Sequence, residues 1–173
     1  MNIPDLRDQA ALDAFEAIST AQRADEPFPN GRLSVTHYKA VHRHLFQDVY
    51  RWAGRLRSVR ISREGNMFCY PEHIAREMSE LFTALRQQDF LRNRSADGFA
   101  SGAADFLATL NAIHPFRDGN GRAQLSFLAL AAYRAGHDLQ LDRLDPEDFL
   151  AAIIVSFHGD NLLLTDQLYR MVS

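Results

Sequence analysis

The chain has 173 residues, 46% of them hydrophobic, with a formal net charge of −3, which is enough to bury one sizeable core and favours a single domain over 1–173. A pI near 6.1 leaves no global basic surface for nucleic acid, so a folded neutral or acidic protein is the expected partner. Cys69 is the only cysteine, which excludes an intrachain disulfide. No stretch approaches the roughly 20 apolar residues of a membrane span. The start, Met1 to Asp8, lacks the basic region and apolar run of a signal peptide, so the expected compartment is the cytoplasm. An effector translocated without a cleavable signal has the same appearance.

In chain order, residues from about Leu6 to Arg23 read as a first helix. Ser34 caps a second, with Tyr38, Val41, Leu45, Val49 and Trp52 on one stripe. Two β-prone runs, 57–61 and 67–70, flank a Gly-Asn turn and read as a small hairpin. Its exposed edge is suited to pairing with an extended peptide, with Val59, Arg60, Ile61 and Phe68 as target-docking candidates. Pro71 opens a third helix through Ile74, Met78, Leu81, Phe82 and Leu85. Two apolar-periodic segments follow, one carrying Phe99, Phe106, Leu107, Leu110 and Ile113, the other Leu125, Phe127, Leu128, Leu130 and Ala131. Asp145-Pro146 opens a helix that stops near Gly159, and 161–171 forms the last. The fold class is mainly α: a compact helical bundle with one hairpin.

Between the two central helices lies His114-Pro115-Phe116-Arg117-Asp118-Gly119-Asn120-Gly121-Arg122. Gly119 and Gly121 lack a Cβ, so successive backbone N–H groups can turn toward one point at the start of a helix, where the macrodipole also favours an anion. Arg122 adds a planar fork of donors for phosphate oxygens. Asp118 is placed to hold Mg²⁺, which uses one or two carboxylates and completes its shell with water and substrate phosphates. His114 ends the preceding helix and, with an ordinary pKa of about 6.5, can take a proton near neutrality. Asp118 would otherwise serve as a helix cap, and His114 as a histidine matched to a helix C-terminus.

This run resembles the signature of the Fic (Fido) family: His, any, Phe, any, Asp or Glu, Gly, Asn, Gly, Arg, two residues, Arg. The segments 40–54 and 68–72 resemble the family's upstream helix and flap. The resemblance implies a helical Fic-type bundle that transfers AMP from ATP, with Mg²⁺, to a Ser, Thr or Tyr hydroxyl of a target protein. It implies His114 as the base, Asp118 on the metal, Gly119, Asn120, Gly121 and Arg122 around the phosphates, and Phe116 buried beneath the loop. Where the family carries its second arginine this chain has Leu125, which shares a helix face with Arg122. In the family that arginine meets the γ-phosphate and an inhibitory glutamate. The inhibitory pattern, Ser or Thr, three residues, Glu, then Gly or Asn, is absent; the only glutamate followed by Gly or Asn is Glu64. A separate small antitoxin-like inhibitor is the expected partner, as in toxin pairs. The alternatives are a variant transfer of UMP, phosphocholine or phosphate, and a non-catalytic nucleotide-binding module. His37, His42 and His44 share no metal-ligand spacing and read as surface or packed residues.

Overall fold

The computed structural model describes residues 2–63 and 65–172. Helix α1, Gln9–Ala24, begins where the Asp8 carboxylate accepts the N–H of Ala11 at 2.8 Å, three residues later than periodicity alone places it. Arg23 in its last turn grips Asp48 through two hydrogen bonds of 2.6 and 3.0 Å, tying α1 to the turn after the second helix. Helix α2, Val35–Phe46, starts at Ser34, whose hydroxyl accepts the N–H of His37. It is shorter than the apolar stripe suggested. After Phe46 the chain turns and Gly54 takes a φ of +76°, so Trp52 stacks on Tyr50 at 4.4 Å instead of extending a helical face.

The hairpin is also smaller and later than the β-prone runs. Strand β1, Ser62–Arg63, pairs antiparallel with β2, Asn66–Met67, around Gly65 at φ +83°. Among the described residues, only the Phe68 N–H to Ile61 carbonyl bond, 3.2 Å, carries the pairing toward the predicted strands. The reason is tertiary: the Arg57 N–H is taken by the Pro115 carbonyl and the Cys69 N–H by the Ala112 carbonyl, at 2.9 and 3.1 Å. The two arms thus bond to the central helix and its loop rather than to each other. Glu64 lies outside the described residues.

Helix α3, Pro71–Gln87, opens on its proline as expected, because a first-turn N–H has no intrahelical partner to lose. Helices α4, Ala96–Ile113, and α5, Asn120–Ala135, carry the core: Phe99, Ala103, Leu107, Leu110, Phe127 and Ala132 are all buried. Around α4 pack α3, α5 and α7, Leu162–Met171, with α6, Pro146–Ser156, against α4 and α7. Short bridges, Asn2 with Tyr50 and Leu139 with Val172, tie both ends of the chain to the bundle. The loop joining α4 to α5 is therefore held between two buried helices, with α2 and the hairpin arms against it. Among the described residues no helix is long and apolar enough to cross a membrane.

Candidate active site

His114 is the C-cap of α4 in a left-handed conformation, φ +48° and ψ +63°, with its N–H still bonded to the Leu110 carbonyl at 3.0 Å. A non-glycine residue in that region is uncommon, and here it turns the chain sharply out of the helix. The imidazole is half-buried and stacks on Phe68 at 3.9 Å between ring centres. Nδ1 is buried and makes no hydrogen bond. The ring forms part of a small cavity of about 70 Å³, with Arg63, Asn66 and Phe68 from the hairpin side and Ile153, Ile154 and Phe157 on or beside α6. Burial, with the Arg57 guanidinium next and Arg63 beyond it, pushes the imidazole down to about 4, against a partial upward pull from the Asn111 carbonyl. It is neutral at pH 7, as a proton acceptor has to be.

Arg57 supplies that charge from a buried position, at 3% exposure. Its guanidinium donates to the carbonyls of His114 at 2.7 Å, Val59 at 2.7 Å, Cys69 at 2.6 Å and Ile113 at 3.1 Å. Those oxygens come from both hairpin arms and from the end of α4, so one side chain fastens the flap to the residue carrying the imidazole. Nothing in the sequence marked Arg57, because a charged residue in a β-prone run reads as a solvent-facing position.

The loop is built around Phe116, which is fully buried as expected and lies 3.8 Å, centre to centre, from the His42 ring. Asn120 is buried at the start of α5, and both ends of its side-chain amide are bonded: Oδ1 accepts the Phe116 N–H at 3.0 Å and Nδ2 donates to the Phe116 carbonyl at 2.9 Å. Its side-chain amide closes the loop on Phe116. Gly119 has a φ of +75°, and a Cβ there would lie 2.2 Å from the Phe46 ring. Gly121 faces open space, with nothing within 4 Å of an added Cβ. One glycine lets the turn form against the core, and the other keeps the helix start clear for a ligand.

Asp118 is exposed; its Oδ1 accepts the Gly119 N–H at 2.7 Å, and its second oxygen has no protein partner among the described residues. One free carboxylate oxygen beside an open helix start fits Mg²⁺ held jointly with substrate phosphates. The Asp118 carbonyl is bound by His42 Nε2 at 2.9 Å, while His42 Nδ1 accepts the Gly54 N–H at 3.0 Å. That network assigns a neutral imidazole with its proton on Nε2. His42, His37 and His44 are packing residues that bond backbone groups and do not converge.

Arg122 lies over the Phe46 ring at 4.7 Å and donates to Thr20 Oγ1 at 3.1 Å and to the Glu16 carboxylate, which also accepts from the Tyr50 hydroxyl. Glu16 and Thr20, one turn apart on α1, were not legible as site residues; they lie about a hundred positions from their partner. Leu125 shares with Arg122 a 420 Å³ recess walled by Ala17, Ala21 and Leu45, as helical spacing implied. Of the flap residues, Val59 and Arg60 are exposed, Arg60 sits over the Tyr70 ring at 4.4 Å, Ile61 is half-buried, and Phe68 is buried on His114. Arg117 is exposed and unpaired among the described residues.

A model of the Fic/DOC family matches residues 32–132, more than half of the chain. The "Probable protein adenylyltransferase y4lH" of Sinorhizobium fredii is 49% identical over 172 residues, 99% of this chain and 88% of that protein. Protein adenylyltransferase VbhT of Bartonella schoenbuchensis is 31% identical over 98% of this chain, which spans 36% of VbhT's own length. Among solved structures, the N-terminal Fic domain of a VirB-translocated Bep effector from Bartonella quintana, with bound ADP, superimposes with a TM-score of 0.91 at 25% identity, covering 100% of this chain and 90% of that one. With the signature loop in place between α4 and α5 and the match extending well beyond it, the chain belongs to the Fic/DOC family.

Proposed function

We propose that this enzyme transfers AMP from ATP to a hydroxyl side chain of a target protein. The observation that carries the reading is the pairing of a neutral, half-buried imidazole that lines a cavity with an unobstructed helix start at Gly121 on the same short loop. The target oxygen forms a bond to the α-phosphorus, the bond from that phosphorus to the bridging oxygen breaks, and pyrophosphate leaves. His114 Nε2 takes the hydroxyl proton. The backbone amides of Asn120 and Gly121, and Arg122 on release from Glu16 and Thr20, would stabilise the developing negative charge, the Gly119 N–H being held by Asp118 Oδ1. Asp118 would hold Mg²⁺, which, when bound, neutralises phosphate charge. The names of the relatives, all adenylyltransferases, support AMP over other transferred groups. A Ser, Thr or Tyr acceptor docked along Val59, Arg60 and Ile61, a cytoplasmic location, and restraint by a separate small inhibitor belong to the same proposal.

The test uses ATP labelled at the α-phosphate with lysate as target source. Wild-type protein is expected to label a protein stably, and His114→Ala to lower the rate about 10²–10⁴-fold, the usual worth of general-base catalysis. Equal labelling by both would remove His114 from the mechanism. Label appearing from the γ-phosphate and not the α-phosphate would mean phosphate transfer instead.

A further inference from the structure

At the other end of α5 from the motif loop, four arginines surround one opening. Arg32 comes from the segment before α2, Arg86 from the last turn of α3, Arg92 from the loop before α4, and Arg134 from the last turn of α5; Ser34 and Phe90 complete the wall of a 490 Å³ cavity. At about 1.5 Å per helical residue, Arg134 lies roughly 18 Å along α5 from Arg122, so the cavity is separate from the signature loop.

The charge there is unbalanced in a chain whose net charge is −3. Among the described residues Arg32 and Arg86 have no hydrogen-bond or ion-pair partner. Arg92 approaches Asp89 only to 3.9 Å, and Arg134 donates to the Gly31 carbonyl, which leaves its charge uncancelled. Confining four guanidinium groups around one opening is electrostatically unfavourable, and an anion among them relieves the repulsion. The start of α2 adds to the same field. Ser34 caps it, its first turn holds no acidic residue, and Val35 and Thr36 line an adjoining recess together with Arg32 and Arg86. The free amides and the positive end of that helix favour negative charge as well. The volume is that of a small-molecule site, and its concavity suits a compact ligand better than an extended polymer. Guanidinium forks match phosphate oxygens in pairs.

We propose that this cavity binds a small anion carrying two or more linked phosphate groups. The site does not depend on the transferase reading, and its test does not use activity. Backbone-amide NMR of the full chain is followed during titration with pyrophosphate at pH 7 and 150 mM salt, and separately with ADP. Two groups of shifts are expected, one at 119–122 and one at Ser34–Thr36 and Phe90–Arg92. The double substitution Arg32→Gln, Arg86→Gln, at two exposed positions, should weaken the second group at least tenfold and leave the first in place; Arg32→Lys, Arg86→Lys should retain part of it. Tighter binding of ADP with added shifts at Phe90 supports a nucleoside polyphosphate, and equal or tighter binding of pyrophosphate supports the free anion. Shifts confined to 119–122, or a second group that the glutamine substitutions leave unchanged, would overturn the site.

Discussion

Gly119 and Gly121, two positions apart, serve different physical ends. Gly119 combines a left-handed backbone with a Cβ position already filled by the Phe46 ring, so Gly119→Ala should destabilise the fold by about 2–4 kcal/mol in urea unfolding. Gly121 lies within α5 and faces open space, so Gly121→Ala should change stability by less than about 1 kcal/mol, in the stabilising direction, because alanine is the better helix former. AMP transfer by Gly121→Ala should nevertheless fall, since the added methyl enters the space left for phosphate; unchanged transfer would show that the ligand lies elsewhere. Under the proposed function a guanidinium at position 125 would add a charged hydrogen bond to the nucleotide, worth about 1.5–3 kcal/mol. Leu125→Arg is expected to lower the KM for ATP roughly 10–100-fold, read from initial rates.

The hairpin and α4 are separate elements whose joint rests on Arg57. Arg57→Met should leave four carbonyls without their donor and destabilise the protein by about 2–4 kcal/mol. It should also raise the titration midpoint of the His114 imidazole toward its ordinary value, because a neighbouring positive charge is gone. Arg57→Lys keeps the charge but has fewer donors, so it should restore the midpoint more fully than the stability. Imidazole NMR and urea unfolding read the two effects independently. Helix starts at Ser34, Pro71 and Pro146 were legible because a cap or a first-turn proline is a local signal, whereas periodicity places the first helix three residues too early because it passes over the Asp8 cap. The hairpin register was not, because bonds to Pro115 and Ala112 outcompete strand pairing.

Over the whole molecule, stability should depend on two histidines held neutral. His42 and His114 are both pushed to about 4, chiefly by burial. Below its ordinary value of about 6.5 each takes up a proton more readily in the unfolded chain, so their stabilising effect is complete above that pH, declines as pH falls toward 4, and is fully lost below it. For buried His42 this amounts to ~3 kcal/mol, since a second ring proton would confront the Gly54 N–H. Thermal unfolding at pH 7 and pH 4.5 should show the fall, with His42→Gln less stable at pH 7 and less pH-sensitive; an equal slope in that variant would assign the effect elsewhere. The amino-acid order alone determined the helical class and the reactive loop, since caps, apolar periodicity and the signature each lie within a few consecutive residues. Tertiary structure alone decided that Arg57 fastens the hairpin arms to His114, that Glu16 and Thr20 receive Arg122, that the Asn120 side chain bonds Phe116, and that four arginines share one cavity. Most of those partners lie tens of positions apart or more, and whether a charged side chain meets water, a carbonyl or another charge is settled only when such segments pack together.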